Sequence, residues 1–287
     1  MSNYDVQILL TAILVSSSCA LLGCFLVLRK MAMVGDAISH AILPGIVVAF
    51  LISGSRESVP MLIGAGIVGL ATTFLVEYFH RRAKLQSDAA IGVTFTTLFA
   101  IGVLLISVFA GKVDLDQDCV LYGELAYVPL DVIFRTDGTV LAPKALVVSA
   151  AVLVLIVVFI FTGYRQLVVT TFDPAFAAAT GLATGIWHYL LMGAVSVTTV
   201  ASFESVGAIL VVALLVAPAA TAYLLTNDLK TMLALSVLIG AIASALGFYL
   251  AVVLDGSIAG AIATVCGLLF ALAFAISPRL LQKNKAG

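Results

Sequence analysis

The sequence predicts an all-α protein, a polytopic membrane helix bundle of about nine spans that forms one domain over residues 1–287. Three observations predict it. Hydrophobic residues make up 63% of the chain and charged residues only 10%, where a soluble domain carries about a quarter. The mean hydropathy is +1.23. Uncharged runs close to the ~20 residues that a helix needs to cross the hydrocarbon core recur along the whole chain.

In order, the spans are Gln7–Leu28, Ala37–Ser53, Pro60–Val76, Ala89–Ala110, Ala145–Gly163, Trp187–Phe203, Val206–Thr226, Thr231–Leu254 and Ser257–Ser277. The first reads as a retained span, because Met-Ser-Asn-Tyr-Asp lacks the positive leader of a cleaved signal. Asp36 stands at the start of the second and His40 lies within it. Glu77 and the cluster His80-Arg81-Arg82 close the third. The sixth is short and rich in Ser and Thr; His188, between Trp187 and Tyr189, reads as part of an interfacial belt. Pro218, inside the seventh, removes a backbone hydrogen bond and predicts a bend. Ala65xxxGly69 and Gly256xxxGly260 are small-xxx-small patterns suited to close helix packing. Cys19, Cys24 and Cys266 lie in apolar runs as small hydrophobes, and Cys119 stands alone in a polar loop, so no disulfide framework is predicted.

Orientation follows from Lys and Arg in the short loops. With nine spans and an external N-terminus, the inner side collects ten of the 14 basic residues and the outer side four. The chain is therefore expected to lie with its N-terminus outside and its C-terminus in the cytoplasm. A net charge of −1 and the absence of a basic patch exclude nucleic acid as a partner.

Two connections are more than turns. The outer segment 111–143 mixes acidic residues with the apolar stretch Val120–Val132 and is expected to be partly embedded over the mouth of the bundle. Asp114, Asp116 and Asp118 alternate along it, followed by Glu124. They read as a cation-attracting vestibule or as a solvated loop, and they lack the spacing of a calcium loop. The inner segment 166–186 predicts a short helix with Asp173 as N-cap, Pro174 at the first helical position and Gly181 just past its end. Phe172 and Phe176 would then present apolar surface to the cytoplasm.

An ionisable residue inside a span is expensive and reads as functional. Asp36 and His40 are four apart, so on a helix they share a face and can reach one ligand. A carboxylate with a neutral imidazole suits a divalent first-row metal, and two ligands suit a transient site better than a closed structural one. The same spacing also fits an ion pair that braces the bundle. The chain lacks a phosphate-binding GxxxxGK[ST] loop, and neither HExxH nor GxSxG occurs. With only this pair inside the membrane, an intramembrane enzyme is not expected. A passive divalent-cation channel or secondary transporter fits the spans too, but neither needs the capped inner helix.

The run Leu28-Arg29-Lys30-Met31-Ala32-Met33-Val34-Gly35-Asp36-Ala37-Ile38-Ser39-His40-Ala41-Ile42-Leu43-Pro44-Gly45 closely resembles the signature of bacterial manganese/zinc/iron importer permeases of the ATP-binding-cassette (ABC) class. Asp88–Gly92, Leu115-Asp116 with Val120–Glu124, Phe172-Asp173-Pro174 through Gly181, and Val206-Gly207 through Pro218–Ala222 follow in the same order. The resemblance runs from about Leu9 to Arg279. It implies a type II importer fold like that of the cobalamin importer permease, with fewer helices, in a bacterial plasma membrane. It also implies a second permease subunit (the same chain or a related one), cytoplasmic ATP-binding subunits and an extracytoplasmic metal-binding protein. No permanently bound cofactor is implied; the cargo is a divalent ion, manganese first, with zinc and iron as alternatives. The metal-coordinating pair of that family falls on Asp36 and His40, and its ATPase-coupling helix on Asp173–Gly181, with Phe172, Pro174 and Phe176.

Overall fold

A lipid-embedded chain must satisfy its backbone polar groups internally, and this one does so with helices. The computed structural model describes residues 3–53, 58–109, 125–134 and 140–277. Among them lie nine helices long and apolar enough to cross a membrane. We number the helices α1 (Asn3–Leu28), α2 (Val34–Ala41), α3 (Leu43–Ser53), α4 (Ser58–Arg82), α5 (Ser87–Phe109), α6 (Lys144–Phe172), α7 (Pro174–Ala179), α8 (Thr184–Phe203), α9 (Ser205–Leu225), α10 (Leu229–Leu254) and α11 (Ile258–Ile276). The pair α2–α3 makes one span, Val34–Ser53.

The chain divides into two compact units. One holds α1, the segment leading into α6 with the first part of that helix, and α9–α11. The other holds α2–α5, α6 from Gly163 onward, α7 and α8.

In the first unit α1 packs on α10, and α10 on α11. Between helices in lipid there is no hydrophobic drive, so contact rests on close packing and hydrogen bonds. A Cβ on Gly23 of α1 would collide with the Leu215 carbonyl of α9, and one on Gly240 of α10 with the Ser16 hydroxyl of α1. Cys24 Sγ donates to Ser236 Oγ of α10 at 3.2 Å. Asp228 caps α10 by accepting from the Thr231 amide and hydroxyl, 2.9 Å each, which holds its carboxyl below the usual range. The Gly256xxxGly260 pattern does not pack as expected. Gly256 precedes the α11 N-cap Ser257, and a Cβ there would meet nothing within 4 Å.

Two further departures concern ends and bends. Predicted as a span ending at Gly163, α6 continues to Phe172, so residues 166–172 of the predicted inner connection are helical. Hydropathy falls at Arg165-Gln166, yet the backbone ladder persists until Pro174, which has no N–H to give and forces Asp173 out of helical dihedrals (φ −141°, ψ 81°). The non-helical residue is Gly207 (φ 75°, ψ 165°), two residues into α9, whereas Pro218 lies in the continuous helix that follows it. Only glycine adopts such dihedrals without strain.

Within the predicted outer segment 111–143, the described part holds a 3-10 turn at Leu125–Tyr127 and an antiparallel strand pair, β1 (Val132–Phe134) with β2 (Val140–Pro143). This short sheet is an addition to the all-α prediction. Asp114, Asp116, Asp118 and Glu124 lie outside the described residues.

Candidate metal site on a broken helix

The span Val34–Ser53 is not one continuous helix. Ile42 ends α2, and the ladder shifts: Gly45 N–H donates to the Ile42 carbonyl at 2.9 Å, three residues back instead of four. Pro44 has no N–H to give the His40 carbonyl, so the interruption is written into the sequence at the Leu43-Pro44 step. Ile42 itself stays in the right-handed helical region (φ −72°, ψ −15°), so the step is a tightened turn and not an unwound segment.

Asp36 and His40 sit on the short helix before this break. Asp36 Oδ1 lies 3.5 Å from His40 Nε2, and the side chains are 29% and 35% exposed, respectively. Two ligands each about 2.1 Å from one ion at a tetrahedral angle lie about 3.4 Å apart, so the separation fits a shared metal ion as well as a loose ion pair. On the α5 side the imidazole meets the rings of Phe95 and Phe99, with centroids 6.1 and 6.0 Å away. Among the described residues no third His, Cys, Asp or Glu joins the pair. An ion held here would keep part of its shell as water or take ligands from elsewhere.

The surroundings of the pair are tightly built. A Cβ on Gly45 of α3 would run into the Gly64 carbonyl of α4, and one on Gly64 into the Gly45 carbonyl. A Cβ on Gly69 of α4 would collide with Ser196 Oγ of α8 and lie 3.4 Å from Ile38 Cγ2, on α2 between Asp36 and His40. Ala65xxxGly69 thus does serve helix contact through Gly69.

The predicted inner helix is present as α7. Asp173 Oδ1 accepts from the Phe176 amide at 2.9 Å, Pro174 opens the helix, and Gly181 follows it with φ +80°. Buried Ala177 holds α7 against its unit, while Phe172 and Phe176 are 60% and 57% exposed. Arg165, Gln166, Val169, Phe176, Thr180 and Leu182 line a cleft of about 350 Å³ beside it.

The structure also makes a pair that hydropathy and spacing do not reveal. His188 Nε2 of α8 lies 3.0 Å from Glu77 Oε2 of α4, with the two side chains 13% and 6% exposed. Far apart in sequence, they meet only because α4 and α8 cross at Gly69. His80, by contrast, is exposed and its Nδ1 lies 2.8 Å from the Leu85 carbonyl.

The sequence profile of the ABC 3 transport family matches residues 1–277. The chain is 49% identical over 276 residues to the manganese transport system membrane protein MntD of Bacillus subtilis (strain 168), covering 96% of this chain and 93% of that protein. It is 42% identical over 273 residues to the zinc transport system membrane protein TroD of Treponema pallidum (strain Nichols), covering 95% of this chain and 74% of that protein. Among solved structures, a chain of PsaBC from Streptococcus pneumoniae, in complex with Fab, superposes with a TM-score of 0.80 at 34% identity, covering 99% of this chain and 96% of that one. With nine helices among its described residues long and apolar enough to cross a membrane, and a profile match to residues 1–277, this multi-pass permease belongs to the ABC 3 transport family.

Proposed function

We propose that this chain is the membrane permease of an ABC importer that carries a divalent first-row metal ion into the cytoplasm by way of Asp36 and His40. The observation that carries the reading is the 3.5 Å carboxylate–imidazole pair on a broken, membrane-embedded helix. A carboxylate facing lipid is strongly disfavoured, so the partly exposed edge of the pair faces water or a second subunit. Both ligands accept manganese, zinc and iron. Manganese is the first choice because the 49% identical relative is named for it.

The site's two-ligand set is best completed across a pair of permease subunits, either two copies or two related chains. Hydrolysis belongs to separate ATP-binding subunits, which dock on α7 through Phe172 and Phe176, and an extracytoplasmic metal-binding protein delivers the ion. A passive channel has no use for a capped helix that offers two exposed aromatic rings. The test is uptake in cells lacking this protein, with manganese, zinc and iron supplied separately. Loss of ATP-dependent uptake of one of them supports the reading, and unchanged uptake of all three refutes it.

The Lys and Arg distribution sets the orientation in this proposal, with the N-terminus outside and the C-terminus in the cytoplasm. A C-terminal tag is expected to be labelled only after the cells are opened. Labelling in intact cells would overturn the cytoplasmic C-terminus, and with it the combination of an external N-terminus and nine spans.

A further inference from the structure

Glu77 and His188 repeat the donor set of Asp36 and His40, but on two different helices and in a more buried place. Their separation of 3.0 Å equals that of two ligands about 2.1 Å from one ion and at right angles to each other. Their position along the helices is given by the crossing at Gly69. There α4 meets both Ile38, between the ligands of the first pair, and Ser196 of α8. Glu77 is eight residues beyond Gly69 on α4, and His188 eight residues before Ser196 on α8. At 1.5 Å per residue both lie about 12 Å from the level of the first pair. They are displaced toward the end of α4 that carries His80-Arg81-Arg82 and the end of α8 that follows α7. Buried Thr73 and Met192 fall between, one four residues before Glu77 and the other four after His188, so they share those helix faces.

We propose that Glu77 and His188 form a second, inner stopping site for the transported divalent cation, about 12 Å nearer the cytoplasm than Asp36 and His40. The proposal rests on the metal-importer reading above and extends it. A cation leaving one carboxylate–imidazole pair needs a next place that is favourable enough to enter and weak enough to leave, and several modest sites in series provide that. Two protein ligands on separate helices are suited to such a step, because a small shift of α8 against α4 opens the pair. The helix that shifts is the one α7 leads into, so movement of a docked ATPase reaches this site first.

The test counts ions. The full-length permease, reconstituted with its ATP-binding subunits in lipid nanodiscs without nucleotide, is titrated with Mn2+ while free ion is followed by electron paramagnetic resonance. Two ions per chain are expected for the wild type, and one each for Asp36→Ala, Glu77→Gln and His188→Gln. The double variant Asp36→Ala/Glu77→Gln is expected to bind none. In Glu77→Gln the ion retained at Asp36–His40 reports a folded chain. Should that variant lose both ions, His188→Cys decides. Two ions with the preference shifted at least tenfold toward zinc support the site, because a thiolate favours the softer ion. One ion overturns it. Wild-type stoichiometry in both Glu77→Gln and His188→Gln reduces the pair to a brace between α4 and α8 and overturns the inference while leaving the first site intact. A count unaffected by Asp36→Ala instead refutes the transport reading itself.

Discussion

Metal uptake is expected to fall by at least about 100-fold in Asp36→Ala and in His40→Ala, with the protein still inserted at normal levels. The magnitude follows from the ligand count. Losing a group that merely orients a metal ligand already costs about 10–100-fold in affinity, and here half of the described protein ligands would be gone. The fold should tolerate the change, since both side chains are partly exposed and their 3.5 Å contact is a loose one. Asp36→Asn refines the test by keeping the shape and removing the charge. Uptake is measured with radioactive manganese and zinc in cells expressing each variant, alongside the amount of permease in the membrane. Wild-type rates in both alanine variants would take Asp36 and His40 off the transport route.

The second large effect is expected at the opposite functional end. Phe176→Asp should separate ATP hydrolysis from transport by weakening attachment of the ATP-binding subunits. Phe176 is 57% exposed, beside the cleft it shares with Arg165 and Leu182, so an aromatic ring is presented outward without cover from its own unit. An aromatic anchor at the centre of an interface contributes about 2 kcal/mol or more. Removing that much weakens binding about 30-fold, before the cost of desolvating the new carboxylate is counted. The substitution leaves α7 itself able to form, because the cap uses the backbone amide of residue 176 and the carboxylate of Asp173. Co-purification of the ATP-binding subunits and metal-stimulated hydrolysis in vesicles provide the readout. If both survive unchanged, α7 is a connecting helix and the docking surface lies elsewhere, with 81–88 the next candidate.

These two tests use residues that one-dimensional patterns mark. Asp36 and His40 are conspicuous because charge inside an apolar run is expensive, and four-residue spacing on a helix places both on one face. The α7 helix is legible because Asp173, Pro174 and Gly181 act locally. A carboxylate satisfies an amide three residues on, a proline ends one helix and opens the next, and a glycine takes a left-handed dihedral. The nine spans are legible because lipid requires each segment to satisfy its own backbone.

What the sequence by itself determined, then, was whatever depends on neighbours within a turn or two: the spans, the first pair and the capped helix. Only the tertiary structure decided which small residues are crossings, since Gly69 and Gly256 look alike in sequence but only Gly69 meets a second helix. It decided the end of α6, where the hydrogen-bond ladder outlasts the apolar run until Pro174. It also decided that Glu77 and His188 belong together. Each on its own reads as a polar group at the end of a span, where facing water costs nothing. Their partnership is set by the crossing of α4 and α8, a contact between segments more than a hundred residues apart that no local spacing encodes.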